Sequence, residues 1–343
     1  WPDKVGGGWF DTYQCWSADR YLEQAYLTAF AKAKELMFFQ WSDLINNYFL
    51  GGMGIQLKKI DDMLKDTGKP TGIPVYIPHA SCGENHLEMR MGMLGIPMDP
   101  TPVFPSDKKL MILTESSAAD ESVVGKLEKY VAAGGDAVIT SGFLNKAGAA
   151  LRAAGITEAE VTGRKLSVSR YQVTGDQAGY LDDVKPVLFP EIVHGNNASW
   201  SLLNGGDGDY HTPLILRSTY GKGRLITVAI PDNQADIYRI PCACIDALKR
   251  LLDPENYVSG KDFSVFTYDD GSMILYRYVK GDLRPERVRI YTGKNAGALK
   301  DMVSGETILP ETISLRENWE IKKYLAVDVV LQPGVFRKFK WEV

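Results

Sequence analysis

The stretch from Tyr21 to Trp41, YLEQAYLTAFAKAKELMFFQW, most constrains what this chain can fold into. Leu22, Tyr26, Ala29, Ala33 and Leu36 recur at helical spacing, so one stripe is apolar throughout. Ser17 and Asp19 stand just upstream, where side-chain oxygens cap free amides. The run that follows, Leu36 to Trp41, holds no polar residue before Gln40. A strand apolar on both faces is buried on both, as in a parallel sheet or a barrel wall. The stretch therefore predicts a long buried helix feeding directly into a short buried strand. Gln40, Trp41, Ser42 and Asp43 arrive together where that strand ends, and parallel α/β folds place ligands at the carboxyl ends of their strands. An amide, a large ring and a carboxylate suit a sugar, with hydrogen bonds for hydroxyls and a flat face for the ring. The same residues also fit an ordinary helix–strand unit with a core tryptophan.

A chain of 343 residues is long enough for two or three domains, each with its own core. Hydrophobic content of 45% and charged content of 24% are those of a globular protein. A formal charge of -4 gives no case for nucleic acid or an anionic membrane as partner, and no apolar run reaches bilayer length. The chain starts at Trp1 rather than Met, which reads as a processed product or a partial chain. No signal peptide is visible; a periplasmic or extracellular location is favoured over a cytoplasmic one. Cys15, Cys82, Cys242 and Cys244 form no C-x-x-C pair, and there are four His. Neither a structural zinc site nor a His-rich metal centre is expected. Gly221-x-Gly223 is too short for a dinucleotide fingerprint, so no cofactor is implied.

Along the chain, Trp9 to Tyr13 reads as a short strand with Asp11 at or near its end. Asp43 to Gly54, with Gly51-Gly52, reads as a long loop of the kind that carries function. Ile55 to Lys65 is an amphipathic helix. Strands then alternate with helices: Ile73–Ile77, Lys109–Thr114 and Ala137–Thr140 between helices at Glu84–Leu94, Ala119–Ala133 and Leu144–Ala154. That alternation predicts a parallel sheet covered on both sides. Residues 164–216 read as extended strands, Gly221–Ile230 as a turn and buried strand, and Asp236–Leu252 as a helix interrupted by Pro241. Asp253-Pro254 suits a boundary. From Phe263 onward the pattern is short strands, with Asp269-Asp270-Gly271 as a hairpin turn.

FDTYQCWSADRYLEQAYLTAFAKAKELMFFQWSDL resembles the last barrel segment of glycoside hydrolases of the family 42 β-galactosidase type. KLMILTE and GGDAVITSGF resemble the flavodoxin-like, amidotransferase-like domain that follows that barrel. GKGRLITVAIPDNQADIYRIP and FSVFTYDDGSMILYRY resemble the end of that domain and a terminal β domain. The resemblance implies an α/β chain in three parts: a C-terminal segment of a (β/α)8 barrel over 1–68, a flavodoxin-like parallel sheet over 69–255, and an antiparallel β-sandwich over 256–343. A complete barrel needs roughly 250 residues, so only its final piece would be present. Enzymes of this kind use two carboxylates on different strands, and both cannot be placed here. Asp11 is the one carboxylate at a strand end, and the resemblance implies that it binds substrate or supports its loop, since the nucleophile is usually Glu. Asp11, Gln40, Trp41, Asp43 and Trp9 are the implied sugar-binding residues, with Trp16 beside them. The implied partner is a carbohydrate, with the middle domain non-catalytic and serving packing or homo-oligomerisation. A non-catalytic carbohydrate-binding or assembly module is the alternative.

Cys82-Gly83-Glu84-Asn85-His86 invites a thiol reading, but adjacency in sequence does not make a triad. The turn where amidotransferase-like enzymes hold their Cys corresponds to Thr140-Ser141-Gly142-Phe143, which has none, and the full G-x-S-x-G pattern is absent. An active hydrolase of that type needs Cys82 or Ser141 to meet a His. Glu84 reads as favouring the start of its own helix. Asp232 or Asn233 reads as a helix cap after Pro231, and Asn197-Ala198-Ser199 fits a glycosylation acceptor.

Overall fold

A computed structural model describes residues 6–13, 15, 17–174, 180–195, 198–208, 210–253, 255–279, 283–294, 296–317 and 320–342. The fold is mixed α/β with several sheets. The chain divides into two compact units. Trp1–Gly72, Asp262–Glu311 and Leu325–Val343 make one; Ile73–Lys261 and Thr312–Tyr324 make the other.

The first unit opens with strand β1 (Gly7–Phe10), helix α1 (Ala18–Phe30) and strand β2 (Glu35–Phe38). The strands pair in parallel, with Gly7 opposite Glu35 and Phe10 opposite Phe38. A parallel pair requires a crossover, which the 13-residue helix supplies. Two expectations change here. The helix ends at Phe30 instead of running on through Ala33 to Leu36, because Lys32 turns to φ 58 and the Lys34 N–H bonds Gly6 O at 2.8 Å. The following strand is not buried on both faces. Phe10 and Phe38 point to α1, where the Phe38 ring lies 6.4 Å from that of Tyr21, while Met37 on the opposite face is 62% exposed. Side chains alternate across a strand, so β2's apolar run supplies a covered row and an open one. Ser17 stands at the N-cap position of α1 but makes no side-chain cap bond, and Asp19 lies in the first turn.

The expected loop at Asp43–Gly54 is largely helical. It comprises α2 (Trp41–Asn46) and the start of α3 (Leu50–Leu64). Glycines weaken a helix by up to about 1 kcal/mol each, but Met53 and Ile60 are buried on α3, and this packing outweighs propensity. After α3 comes the two-residue strand β3 (Pro70–Thr71).

In the second unit, β4 (Ile73–Tyr76), α4 (Leu87–Gly92), β6 (Leu110–Leu113), α5 (Val123–Ala132), β7 (Asp136–Thr140) and α6 (Ser141–Ala153) give the predicted alternation, and the short strand β5 (Met98–Thr101), which the pattern did not predict, stands between α4 and β6. Four strands follow: β8 (Glu160–Val173), β9 (Tyr180–Val193), β10 (Ser199–Gly206) and β11 (His211–Tyr220). Then come β12 (Gly223–Val228), α7 (Cys242–Leu252) and β13 (Asn256–Val258). One nine-stranded sheet runs β5-β4-β6-β7-β12-β11-β10-β8-β9. Its first five strands are parallel and, numbered among themselves, stand in the order 2-1-3-4-5 of flavodoxin-like sheets. All five residues of β7 are buried, as a strand central to such a sheet requires. Pro241 does break the predicted 236–252 helix, separating a 3-10 turn at Gln234–Arg239 from α7.

The first unit resumes with β14 (Phe263–Tyr268), β15 (Ser272–Arg277), β16 (Glu286–Thr292), β17 (Leu299–Asp301) and β18 (Thr307–Ile308). From Thr312 to Tyr324, β19 (Glu311–Glu317) and the start of β20 (Glu320–Leu331) belong to the second unit, and the rest of β20 and β21 (Phe336–Trp341) belong to the first. A six-stranded sheet runs β18-β17-β21-β15-β14-β3, and β16 pairs antiparallel with the part of β20 from Leu325 to Leu331. Gly271 turns the β14–β15 hairpin at φ 80, as the Asp-Asp-Gly signal predicts. The second face of α1 packs here: Tyr26 and Phe30 meet Phe336 at ring distances of 5.4 Å, and Tyr268 Oη donates to Phe30 O at 2.7 Å. Helix α1 is thus buried on two sides, which accounts for its wide apolar surface.

Candidate functional site

Two places gather polar groups at the carboxyl ends of parallel strands. The first is the end of the β1–β2 pair. Asp11 follows β1, and its Oδ1 accepts the Tyr13 N–H at 2.8 Å, closing a short turn. Gln24, from α1, brackets the same residue by donating to Asp11 O at 3.0 Å and accepting Asp11 N–H at 3.3 Å. Thr12 Oγ1 donates to Asp43 Oδ2 at 2.9 Å, which ties the end of β1 to the first turn of α2. Gln40 is the N-cap residue of α2 by position and its side chain makes no cap bond. Trp9 is 66% and Trp41 60% exposed, and the Trp9 ring meets Phe39 edge-on at 5.3 Å. The five residues singled out in the sequence thus sit on adjoining segments at the same ends of two paired strands. Trp16 and Asn197 lie outside the described residues.

The second place is a cleft of about 320 Å³ in the second unit. It lies across the carboxyl ends of β4, β6, β7 and β12, and β8 forms part of its wall. Glu84, in the loop after β4, anchors one side. Its Oε1 accepts Gly142 N–H at 3.1 Å; its Oε2 accepts Glu115 N–H at 2.9 Å and the Thr140 hydroxyl. Burial pushes the Glu84 carboxyl above its usual range, while these donors pull it back. The approach is close: a Cβ on Gly142 would lie 2.5 Å from the Glu84 carboxylate, and Glu84 itself adopts φ 45. Glu115 pairs with Lys146 at 3.6 Å. On the far wall Lys165 pairs with Asp232 at 2.5 Å, and Arg164 faces the buried Glu191 at 3.6 Å. The hydroxyls of Thr162 and Tyr210 hold the Glu191 carboxyl low.

Sequence reasoning found the strand-to-helix turn at Thr140–Phe143 but misassigned Glu84. Its carboxylate serves the starts of α6 and of the 3-10 turn at Glu115, not its own helix, and no local signal marks such a long-range role. Ser141 is buried, with its Oγ accepting Ile230 N–H at 3.0 Å. Cys82 is exposed, and among the described residues neither it nor Ser141 is hydrogen-bonded to a histidine. Asn233 caps the following 3-10 turn through Ala235 N–H, as predicted.

Comparison with known proteins bears on both places. Residues 1–58 match a family model described as the catalytic domain of a probable glycosyl hydrolase. Residues 68–233 match the second domain of the uncharacterized protein SSO3021. No curated protein matches. Among solved structures, the β-galactosidase from Bacillus circulans sp. alkalophilus is 14% identical, with a TM-score of 0.53 over 95% of this chain and 52% of its own. A catalytic mutant of Gan42B, a GH42 β-galactosidase from G. stearothermophilus, is 15% identical, with a TM-score of 0.51 over 95% and 51%. α-L-Fucosidase isoenzyme 2 from Paenibacillus thiaminolyticus is 13% identical, with a TM-score of 0.57 over 95% and 57%. The chain spans about half the length of these relatives. At such identities the likeness is one of fold, and in fold the resemblance to family 42 glycoside hydrolases holds.

Proposed function

We propose that this chain is the C-terminal part of a glycoside hydrolase-like protein. Its β1–α1–β2 unit is a barrel segment, its middle domain is flavodoxin-like and non-catalytic, serving packing or oligomerisation, and its last strands form a sandwich. The whole protein cleaves a glycosidic bond by a two-carboxylate mechanism, and Asp11, Gln40, Trp41, Asp43 and Trp9 contribute to the sugar-binding rim. One observation carries the reading. In a segment matching a glycosyl hydrolase catalytic domain, two parallel strand ends gather carboxylates, an amide and two exposed indoles. Asp11 and Asp43 act as binding groups. Asp11 is committed to a turn and Asp43 accepts from Thr12, an arrangement that positions oxygens without isolating a proton donor.

The test is a titration with β-galactosides and α-L-fucosides followed by tryptophan fluorescence. A saturable change that Trp41→Ala abolishes is the supporting result, and an unchanged response in Trp41→Ala removes the rim. Clear turnover of an aryl glycoside by this chain alone would refute the assignment of its carboxylates to binding. The assembly-module alternative keeps one specific support, the open apolar row of Met37 and Phe39 on the outer face of the β1–β2 segment.

A further inference from the structure

The cleft at Glu84 has no part in the rim chemistry, yet it is built like a small-molecule site. Its volume of about 320 Å³ falls in the range of ligand pockets. It lies at the carboxyl ends of a doubly wound parallel sheet, where such sheets bind ligands. In sheets of this type a helix N-terminus commonly receives an anion. Here the seat is taken. The Glu84 carboxylate already accepts the Gly142 N–H at the start of α6 and the Glu115 N–H. The other charges that line the cleft each have an opposite partner: Glu115 with Lys146, Asp232 with Lys165, and Arg164 with the buried Glu191. The side-chain amides of the exposed Asn145 and the half-buried Gln234 also line the cleft and make no hydrogen bond to another of the described residues, which leaves them open to an entering molecule. Each offers both a donor and an acceptor. Val161, Pro190, Ile230 and Pro231 supply an apolar floor.

We infer that this cleft binds a neutral, multiply hydroxylated molecule of monosaccharide size, and that Glu84 sets this preference by filling the anion seat from within. Paired charges and free amides suit hydroxyls, which donate and accept at once. A free phosphate or carboxylate meets the Glu84 carboxylate instead of open N–H groups. The inference does not depend on the rim reading, because the two places share no residue.

The experiment is 1H–15N NMR of the whole chain, titrated separately with galactose, glucose and inorganic phosphate. Saturable shifts of the Gly142, Asn145 and Gly163 amides with a sugar, and none with phosphate, are expected. The paired substitution Asn145→Ala with Gln234→Ala should weaken the sugar response at least tenfold, while Trp41→Ala leaves it unchanged. Glu84→Ala should reverse the preference, so that phosphate now shifts Gly142. If Glu84→Ala does not fold, the Asn145 and Gln234 variant decides alone. Shifts confined to the rim and lost in Trp41→Ala, a phosphate response in the unmodified chain, or no saturable response would each overturn the inference.

Discussion

At the scale of single residues, Glu84 and Lys249 show how burial turns ordinary side chains into structural commitments. Glu84 satisfies two backbone donors and one hydroxyl from two other segments of the chain. Glu84→Gln presents an N–H to one of those donors and leaves it unpaired, which costs about 1–3 kcal/mol. A lower midpoint in urea with an unchanged slope is the expected measurement. Lys249, on α7, donates to Val258 O at 2.7 Å and Gly260 O at 2.6 Å. Burial lowers its ammonium from 10.5 to about 8, against the opposing pull of Asp246. Between those values the unfolded chain holds a proton that the folded chain has lost, so this residue makes stability rise with pH across that window. Relative to Lys249→Met, the unmodified protein should gain about 3 kcal/mol at most from pH 8 to pH 10.5, read from urea melts at both pH values.

At the scale of elements, glycines separate packing from propensity. Gly221-x-Gly223, set aside as a nucleotide motif, has a packing role. A Cβ on Gly223 would lie 2.1 Å from Gly135 O and 2.5 Å from Val131 O, so β12 can enter the sheet only with glycine there. Gly223→Ala forces backbone to move and should destabilise by about 2 kcal/mol, visible as a lower thermal midpoint. Gly51 and Gly52 are the opposite case. They lie in α3, and a Cβ on either would meet nothing within 4 Å. Alanine at either should stabilise by about 0.5–1 kcal/mol, and both midpoints should rise. The same glycines explain why the sequence suggested a loop where α3 begins.

At the scale of the whole molecule, the first unit keeps a row of uncovered apolar side chains. Trp9, Met37, Phe39, Trp41 and Ile45 are all exposed on consecutive elements at its start. Scattered exposed apolar residues are normal, but a run of them on neighbouring segments marks a surface that associates. Sedimentation velocity should show concentration-dependent self-association of this chain, reduced by Met37→Ser combined with Trp41→Ser. Unchanged association in that variant would place the contact elsewhere. No helix among the described residues is long and apolar enough to cross a membrane.

Local patterning by itself determined the helices and the strands β4, β6 and β7 of residues 73–153 though not β5, and its turn and proline signals determined the hairpin at Gly271 and the break at Pro241. These depend on side-chain spacing within a few residues, which the sequence displays directly. Only tertiary structure decided that α3 begins among glycines, that β2 is covered on one face alone, and that Glu84 reaches two other helical turns. Each depends on groups far apart in the chain: Met53 and Ile60 buried against the fold, a sheet with cover on one side, and donors 31 and 58 residues from the carboxylate they bind. Such contacts leave no mark on the local pattern, because the partners meet only once the backbone has brought them together.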